Sequence, residues 1–142
     1  MTYFIDFFGT AFNVAEYQES GKTPEDDLSS FLYPDAARFL RDKENAAMII
    51  TSASKEEAGS LIRAALRGIP RIAVMYTEGV RKGEYLAPHI SMYGPSPVFV
   101  DDSLHELESM SALIPGVRTF ELRREGEGDG RWPMIRSLQE LP

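Results

Sequence analysis

The chain has 142 residues, 43% of them hydrophobic and 26% charged, which is typical of one globular domain with its own core. Its formal net charge of −7 disfavours a broad nucleic-acid surface or a surface for anionic membranes. The absence of cysteine excludes disulfides, thiol nucleophiles and cysteine-bound zinc. Without a signal peptide or a long apolar stretch, we expect a cytoplasmic protein, monomeric or homo-oligomeric, with no membrane contact.

Short apolar runs alternate with segments of helical periodicity along the chain. The runs are β-branched or aromatic and too short for buried helices, which predicts strands at 3–5, 46–50, 72–75, 98–100 and 117–122. Helices are predicted at 34–41, 55–66 (with Ser54 as N-cap), 83–93, from Ser103 with Glu106 as capping-box partner, and at 134–141.

This alternation predicts an α/β fold in three layers, with a parallel, Rossmann-like sheet covered on both faces. Ligands of such sheets bind beyond the carboxyl ends of the strands. The segment 12–33 is predicted to be a short insert. It most simply forms a loop with a short helix over the sheet; a flap above Asp6 or an oligomer contact are the alternatives.

Polar side chains follow four of the predicted strands. They are Asp6 and Thr10 after the first strand, Thr51 and Ser52 after the second, Arg81 and Lys82 after the third, and Asp101 and Asp102 after the fourth. A carboxylate can act as a nucleophile, and further carboxylates can hold Mg²⁺. Hydroxyl and ammonium groups can stabilise a phosphoryl group in transfer. The pattern therefore indicates phosphoryl chemistry.

In order and spacing, these motifs resemble those of the haloacid dehalogenase-like superfamily, from residue 3 to about residue 122. Asp6-Phe-Phe-Gly-Thr10 matches its first motif, Thr51 the second, Lys82 the third and Asp101-Asp102 the fourth. The resemblance implies five parallel strands in the order 5-4-1-2-3. The length of the chain predicts a single domain over 1–142, and the stretches between the motifs are too short for a full cap domain. Receiver domains of two-component signalling use similar residues, but in a different order along the chain.

The resemblance also implies a role for each residue. Asp6 would be the nucleophile, with Thr51 and Lys82 as the other catalytic residues. Mg²⁺ would be held by Asp6, the backbone carbonyl of Phe8, Asp101 and Asp102. Thr10, Ser52 and Arg81 are the candidate substrate-binding residues, and Thr10 is expected chiefly to support the turn and Asp6.

One position departs from the phosphatases of this superfamily, which carry a second aspartate two residues after the nucleophile. That residue protonates the leaving group and activates water, and here it is Phe8. The favoured interpretation is a Mg²⁺-dependent phosphohydrolase restricted to acyl or aryl phosphates, acting on a phosphorylated small molecule or macromolecule. A non-catalytic domain that binds metal or a phosphorylated partner is the alternative. Haloacid dehalogenation ranks third, because the segment 11–33 is too short for the cap that encloses such substrates.

Basic residues near the end of the chain offer one further hypothesis. Arg123, Arg124 and Arg131 surround a glycine-rich stretch after the fifth predicted strand. They would lie on the same edge of the sheet as Asp6 and are candidates for recruiting an anionic substrate.

Overall fold

A parallel sheet of six strands forms the centre of the protein, whose computed structural model describes all 142 residues. The strands are β1 (Tyr3–Ile5), β2 (Ala47–Thr51), β3 (Ala73–Tyr76), β4 (Val98–Asp101), β5 (Arg118–Leu122) and β6 (Met134–Ile135). Their order across the sheet is β3-β2-β1-β4-β5-β6, and all neighbours are parallel. The predicted fold and the order of the first five strands are confirmed, and β6 adds one strand beside β5.

The central strand β1 shows why the sheet is covered on both faces. Side chains alternate along a strand, so Tyr3 and Ile5 face one side and Phe4 faces the other. Tyr3 and Ile5 belong to the larger hydrophobic core, and Phe4 belongs to a second, smaller core on the opposite face. Both faces of the sheet therefore bury apolar side chains, as a three-layer sandwich requires.

The helices are α1 (Val14–Ser20), α2 (Pro34–Asp42), α3 (Lys55–Ala65), α4 (Lys82–Leu86) and α5 (Leu104–Leu113), with 3-10 turns at Ser29–Phe31, Ala87–Tyr93 and Leu138–Glu140. The predicted N-cap of α3 is confirmed, because Ser54 Oγ accepts a hydrogen bond from Glu57 N at 3.1 Å. The helix predicted at 83–93 changes from α to 3-10 geometry after Leu86. Pro88 explains the change, since it has no amide hydrogen to donate to an α-helix. None of the helices has the length and apolar character that a membrane crossing requires.

The prediction of a helix at 134–141 is wrong. Met134–Ile135 forms β6, and only Leu138–Glu140 forms a helical turn. The amide of Arg123 donates to the carbonyl of Ile135 at 3.0 Å. The segment therefore pairs with the end of β5 and does not form the internal hydrogen bonds of a helix. Hydrogen bonds to a distant strand have replaced the local ones that a helix needs.

The segment 12–33 packs against α3 and contributes to the larger core. It contains α1 and the first 3-10 turn, and its buried side chains include Phe12, Leu28 and Phe31. Phe12 also forms bridges with Phe8 and Leu32, which join the two ends of the segment to the loop after β1.

Candidate functional site

The side chains of Asp6, Lys82 and Asp101 meet at the carboxyl edge of the sheet. β1 and β4 are neighbours, and the amide of Asp6 donates to the carbonyl of Val100 at 3.0 Å, so Asp6 lies beside Asp101. The ammonium of Lys82 lies between the two carboxylates, 2.7 Å from Asp6 Oδ1 and 2.6 Å from Asp101 Oδ2. The structure thus joins three of the predicted site residues in one ion-paired cluster.

Burial gives this cluster its electrostatic character. Lys82 is only 2% exposed and Asp101 only 1%. Burial alone would lower the pKa of Lys82, but the charges of Asp6 and Asp101 outweigh it and raise the pKa above its ordinary value. Burial, together with the charge of Asp6, raises the pKa of Asp101 well above its usual range, and Lys82 opposes that shift. Lys82 therefore remains a cation that offsets two buried carboxyl groups.

The carboxylate of Asp6 is held from both sides. Lys82 donates to Oδ1, and the hydroxyl of Thr10 donates to Oδ2 at 2.9 Å. Thr10 has no exposed surface, so the observed contact of its hydroxyl is with Asp6 and not with the cleft. A carboxylate with a donor on each oxygen is restricted in rotation and is preorganised for reaction.

The loop after β1 requires glycine at position 9. Gly9 has a φ of +82°, a left-handed conformation that favours glycine. A Cβ at this position would lie only 2.5 Å from Asp102 Oδ2. Gly9 therefore lets the loop turn sharply and lets the carboxylate of Asp102 approach its backbone.

The acidic residues fit a divalent cation. Asp6, Asp101 and Asp102 each offer a carboxylate oxygen, and these oxygens lie within 4.8 Å of one another. Burial and, after it, the charge of Asp6 raise the pKa of Asp102 to about 6. The carbonyl oxygen of Phe8 accepts no hydrogen bond from the protein. Three carboxylates and one carbonyl, opposed by a single lysine, are a donor set suited to Mg²⁺.

The cluster opens into a cleft of about 210 Å³. With Asp6, Lys82, Asp101 and Asp102, the predicted residues that line it are Phe8, Thr51, Ser52 and Arg81. Thr51 is buried, and its oxygen accepts a hydrogen bond from Ala53 N at 3.3 Å, which leaves its hydroxyl hydrogen free to donate. Ser52 and Arg81 are exposed at the rim. A larger groove of about 570 Å³ between α3 and β3 contains no carboxylate. The smaller cleft is therefore the candidate site, because it contains the reactive groups.

Phe8 is the one hydrophobic residue of the cleft lining. Its ring packs edge-to-face on Phe7, with centroids 4.9 Å apart, and on Phe12, with centroids 6.1 Å apart. The position two residues after Asp6 is therefore filled by an aromatic ring that packs against the core.

Two residues of α5 that were not among the predicted site residues fix the start of α4. Glu106 Oε1 accepts a hydrogen bond from the amide of Lys82 at 3.2 Å, and Ser109 Oγ accepts one from the amide of Gly83 at 3.1 Å. A Cβ on Gly83 would collide with the backbone of Ser109, so the two helices approach as closely as glycine allows. These contacts satisfy free amides of α4 and place Lys82.

The predicted capping box of α5 is wrong. The side chain of Ser103 makes no capping hydrogen bond. Glu106 is buried and turned towards α4, where it also lies 3.8 Å from Arg81 Nη1. Glu106 does accept a backbone hydrogen bond, as a capping residue would, but the donor is the amide of Lys82 in α4 and not an amide of α5.

Comparison with known proteins supports the fold assigned from the motifs. No family model matches the chain, and no curated protein matches it. A crystal structure from Burkholderia xenovorans LB400, assigned as a haloacid dehalogenase-like hydrolase, matches with a TM-score of 0.52 and 23% identity. The match covers 72% of this chain and 48% of the other, so this chain spans about half the length of that protein. At this level of identity the match establishes a haloacid dehalogenase-like fold.

Proposed function

We propose that the protein is a Mg²⁺-dependent phosphohydrolase in which Asp6 is the nucleophile. The observation that carries the proposal is the placement of Lys82 between Asp6 and Asp101 at 2.7 and 2.6 Å, beside a cleft. Such a cluster combines a nucleophile, a cation and surplus carboxylates at one sheet edge. The likeness in fold to a protein described as a hydrolase supports the same class.

In the first step, an oxygen of Asp6 attacks the phosphorus atom, and the bond from phosphorus to the leaving oxygen breaks. The product on the protein is an acyl phosphate at Asp6. The ammonium of Lys82 and the hydroxyl of Thr51 offset the negative charge on the phosphoryl oxygens during this transfer. Asp6, Asp101 and Asp102 would hold Mg²⁺, whose positive charge would offset the repulsion between phosphate and carboxylate.

Phe8 determines which substrates suit this site. Its ring cannot protonate a leaving oxygen, so the leaving group must depart as a stable anion. Carboxylates and phenolates meet this condition, and simple alkoxides do not. The proposed substrates are therefore acyl or aryl phosphates on a small molecule or a macromolecule. The second step, attack of water on the acyl phosphate, also lacks its usual base and is expected to be slow.

The same residue supports a second candidate function. A site with a nucleophile and a cluster of carboxylates but no acid is also what a non-catalytic domain would retain if it bound a metal or a phosphorylated partner. The two candidates differ in whether a covalent bond forms at Asp6.

The deciding experiment compares the wild type with Asp6→Asn on an aryl phosphate and on acetyl phosphate, with and without Mg²⁺. Asp42→Asn is the matched control, since Asp42 is exposed on α2. Mg²⁺-dependent turnover that is lost in Asp6→Asn and kept in the control supports the enzyme. Phosphate binding without turnover, and without a BeF₃⁻ adduct at Asp6, supports the binding domain. Halide release from a 2-haloacid in the same assays would instead indicate dehalogenation.

A further inference from the structure

Arg124, just after β5, links the loop that follows Asp6 to the start of α2. Its Nη2 donates to the carbonyl oxygen of Thr10 at 2.7 Å, and its Nη1 donates to Asp35 Oδ1 at 2.7 Å. Its guanidinium carbon lies 4.0 Å from the centroid of the Tyr33 ring. The side chain of Arg124 is 20% exposed. Arg124 thus contacts the residue whose hydroxyl holds Asp6.

We propose that Arg124 is a positioning residue for Asp6, acting through Thr10. The chain of contacts has two links: Arg124 fixes the Thr10 carbonyl, and the Thr10 hydroxyl donates to Asp6 Oδ2 at 2.9 Å. A displacement of the Thr10 backbone would move the hydroxyl that fixes one carboxylate oxygen. The expected effect of Arg124 on catalysis rests on the proposed function. Its expected effect on the order of the loop does not.

The loop itself explains why an external tie matters. Its residues 7–11 belong to no helix or strand, and the carbonyl of Phe7 accepts the amides of Thr10, Ala11 and Phe12 in a tight turn. The bond from Thr10 N is the longest of the three, at 3.3 Å. Regular secondary structure therefore does not hold Thr10, and the hydrogen bond from Arg124 fixes its peptide group from outside the turn.

The guanidinium of Arg124 is committed to these contacts. Besides its bonds to Thr10 and Asp35, its Nη1 lies 3.3 Å from the carbonyl oxygen of Arg136, and its buried Nε has no partner. To reach a phosphate in the cleft, Arg124 would have to release Thr10 and Asp35. Arg124 is thus better placed to position the loop than to recruit an anionic substrate.

The first test is amide hydrogen exchange measured by NMR in Arg124→Gln. The amides of Thr10, Ala11 and Phe12 should exchange about 10-fold faster, since the variant loses a hydrogen bond to the turn. The matched control is Asp35→Asn, which breaks the same ion pair but keeps Arg124 and its bond to Thr10. Exchange in the turn should stay within about 3-fold of wild type in this control.

Equal exchange in the turn for wild type and Arg124→Gln would overturn the proposal, and so would equal acceleration by Asp35→Asn. Circular dichroism establishes that each variant is folded. If Arg124→Gln does not fold, Arg124→Met carries the same test, because its apolar stem can still pack on Tyr33.

The second test is kinetic and uses an aryl phosphate with saturating Mg²⁺. Arg124→Gln should lower kcat about 10- to 100-fold and leave KM within about 3-fold, as expected of a residue that orients a reactive group. In a Thr10→Val background, the same substitution should lower kcat by less than about 2-fold, because the link to Asp6 is already lost.

A raised KM with unchanged kcat would overturn the positioning role and indicate substrate binding. Additive effects of the Arg124 and Thr10 substitutions on kcat would overturn the link through Thr10. A wild-type protein with no turnover and no BeF₃⁻ adduct would refute the proposed function. Hydrogen exchange in the turn would then decide on Arg124 by itself.

Discussion

Replacing Phe8 with aspartate is the most direct test of what the site lacks. The substitution places a carboxyl group in a cleft that already contains Asp6, Lys82 and Asp101. Aspartate is smaller than phenylalanine, so the new side chain fits by volume. The backbone carbonyl of residue 8, a candidate metal ligand, is kept.

The structure allows an estimate of both the gain in catalytic rate and the loss of stability. A positioned acid/base contributes about 10²- to 10⁴-fold to the rate, so alkyl-phosphate hydrolysis should rise by that factor. Phe8 makes edge-to-face contacts with Phe7 and Phe12 at 4.9 and 6.1 Å. Beyond the apolar area that the ring buries, each such contact contributes roughly 0.5–1.5 kcal/mol, so the loss of the two contacts by itself should lower the free energy of unfolding by about 1–3 kcal/mol. A domain with about 5–15 kcal/mol of stability tolerates that loss.

The assay compares kcat/KM for an alkyl phosphate and an aryl phosphate in the wild type, Phe8→Asp and Phe8→Asn. Phe8→Asn is the matched control, because it also removes the ring and is nearly the same size as aspartate, but it supplies no acid. Both variants should lose similar stability in urea unfolding, followed by circular dichroism. Only Phe8→Asp should gain kcat/KM, which reports the first step, and only on the alkyl phosphate.

Two results would refute this reasoning. A wild type that hydrolyses alkyl and aryl phosphates equally well would show that proton transfer to the leaving group does not limit the site. A folded, Mg²⁺-binding Phe8→Asp protein without any gain would show that more than the acid is missing. The non-catalytic binding domain would then be the better interpretation.

Three further substitutions test how the site is held together. Lys82→Met should lower the free energy of unfolding by about 3–5 kcal/mol in urea titrations, because it leaves two buried carboxylates without their cation; a loss below about 1 kcal/mol would contradict that. Gly9→Ala should weaken Mg²⁺ binding, measured by calorimetry, since its Cβ would meet Asp102 Oδ2 at 2.5 Å; unchanged affinity would show that Asp102 moves freely. Gly83→Ala should cost about 1–3 kcal/mol in thermal unfolding, because its Cβ collides with Ser109 and separates α4 from α5; a wild-type Tm would contradict that packing.

The core of the fold was predictable because its signal is local. The strands at the centre of a parallel sheet are buried on both faces, so they read as short, continuous apolar runs such as Phe4–Ile5 and 98–100. Polar residues directly after such runs must gather at one edge of the sheet, which is why Asp6, Thr51 and Asp101 were found together. Composition and alternation predict this edge, while the order of the strands came from the resemblance alone.

The features that were missed depend on contacts between distant segments. β6 has only two residues, too few for a periodic pattern, and its pairing with β5 is visible only in the folded chain. Glu106 has the spacing of a capping-box residue, yet burial turns it towards α4. The link from Arg124 to Thr10 joins residues 114 positions apart, and no local pattern reports it.

The two ion pairs of Lys82 also bear on how the domain unfolds. Its partners lie 76 and 19 positions away along the chain, at the carboxyl ends of two different strands. If α4 detached alone, Lys82 would leave, and the carboxylates of Asp6 and Asp101 would face each other without a counter-charge in a buried place. Partial opening is thus penalised electrostatically, which favours β1, β4 and α4 gaining and losing structure as one cooperative unit. A cation that binds this cluster would stabilise the whole unit against unfolding and not only the loops that touch it.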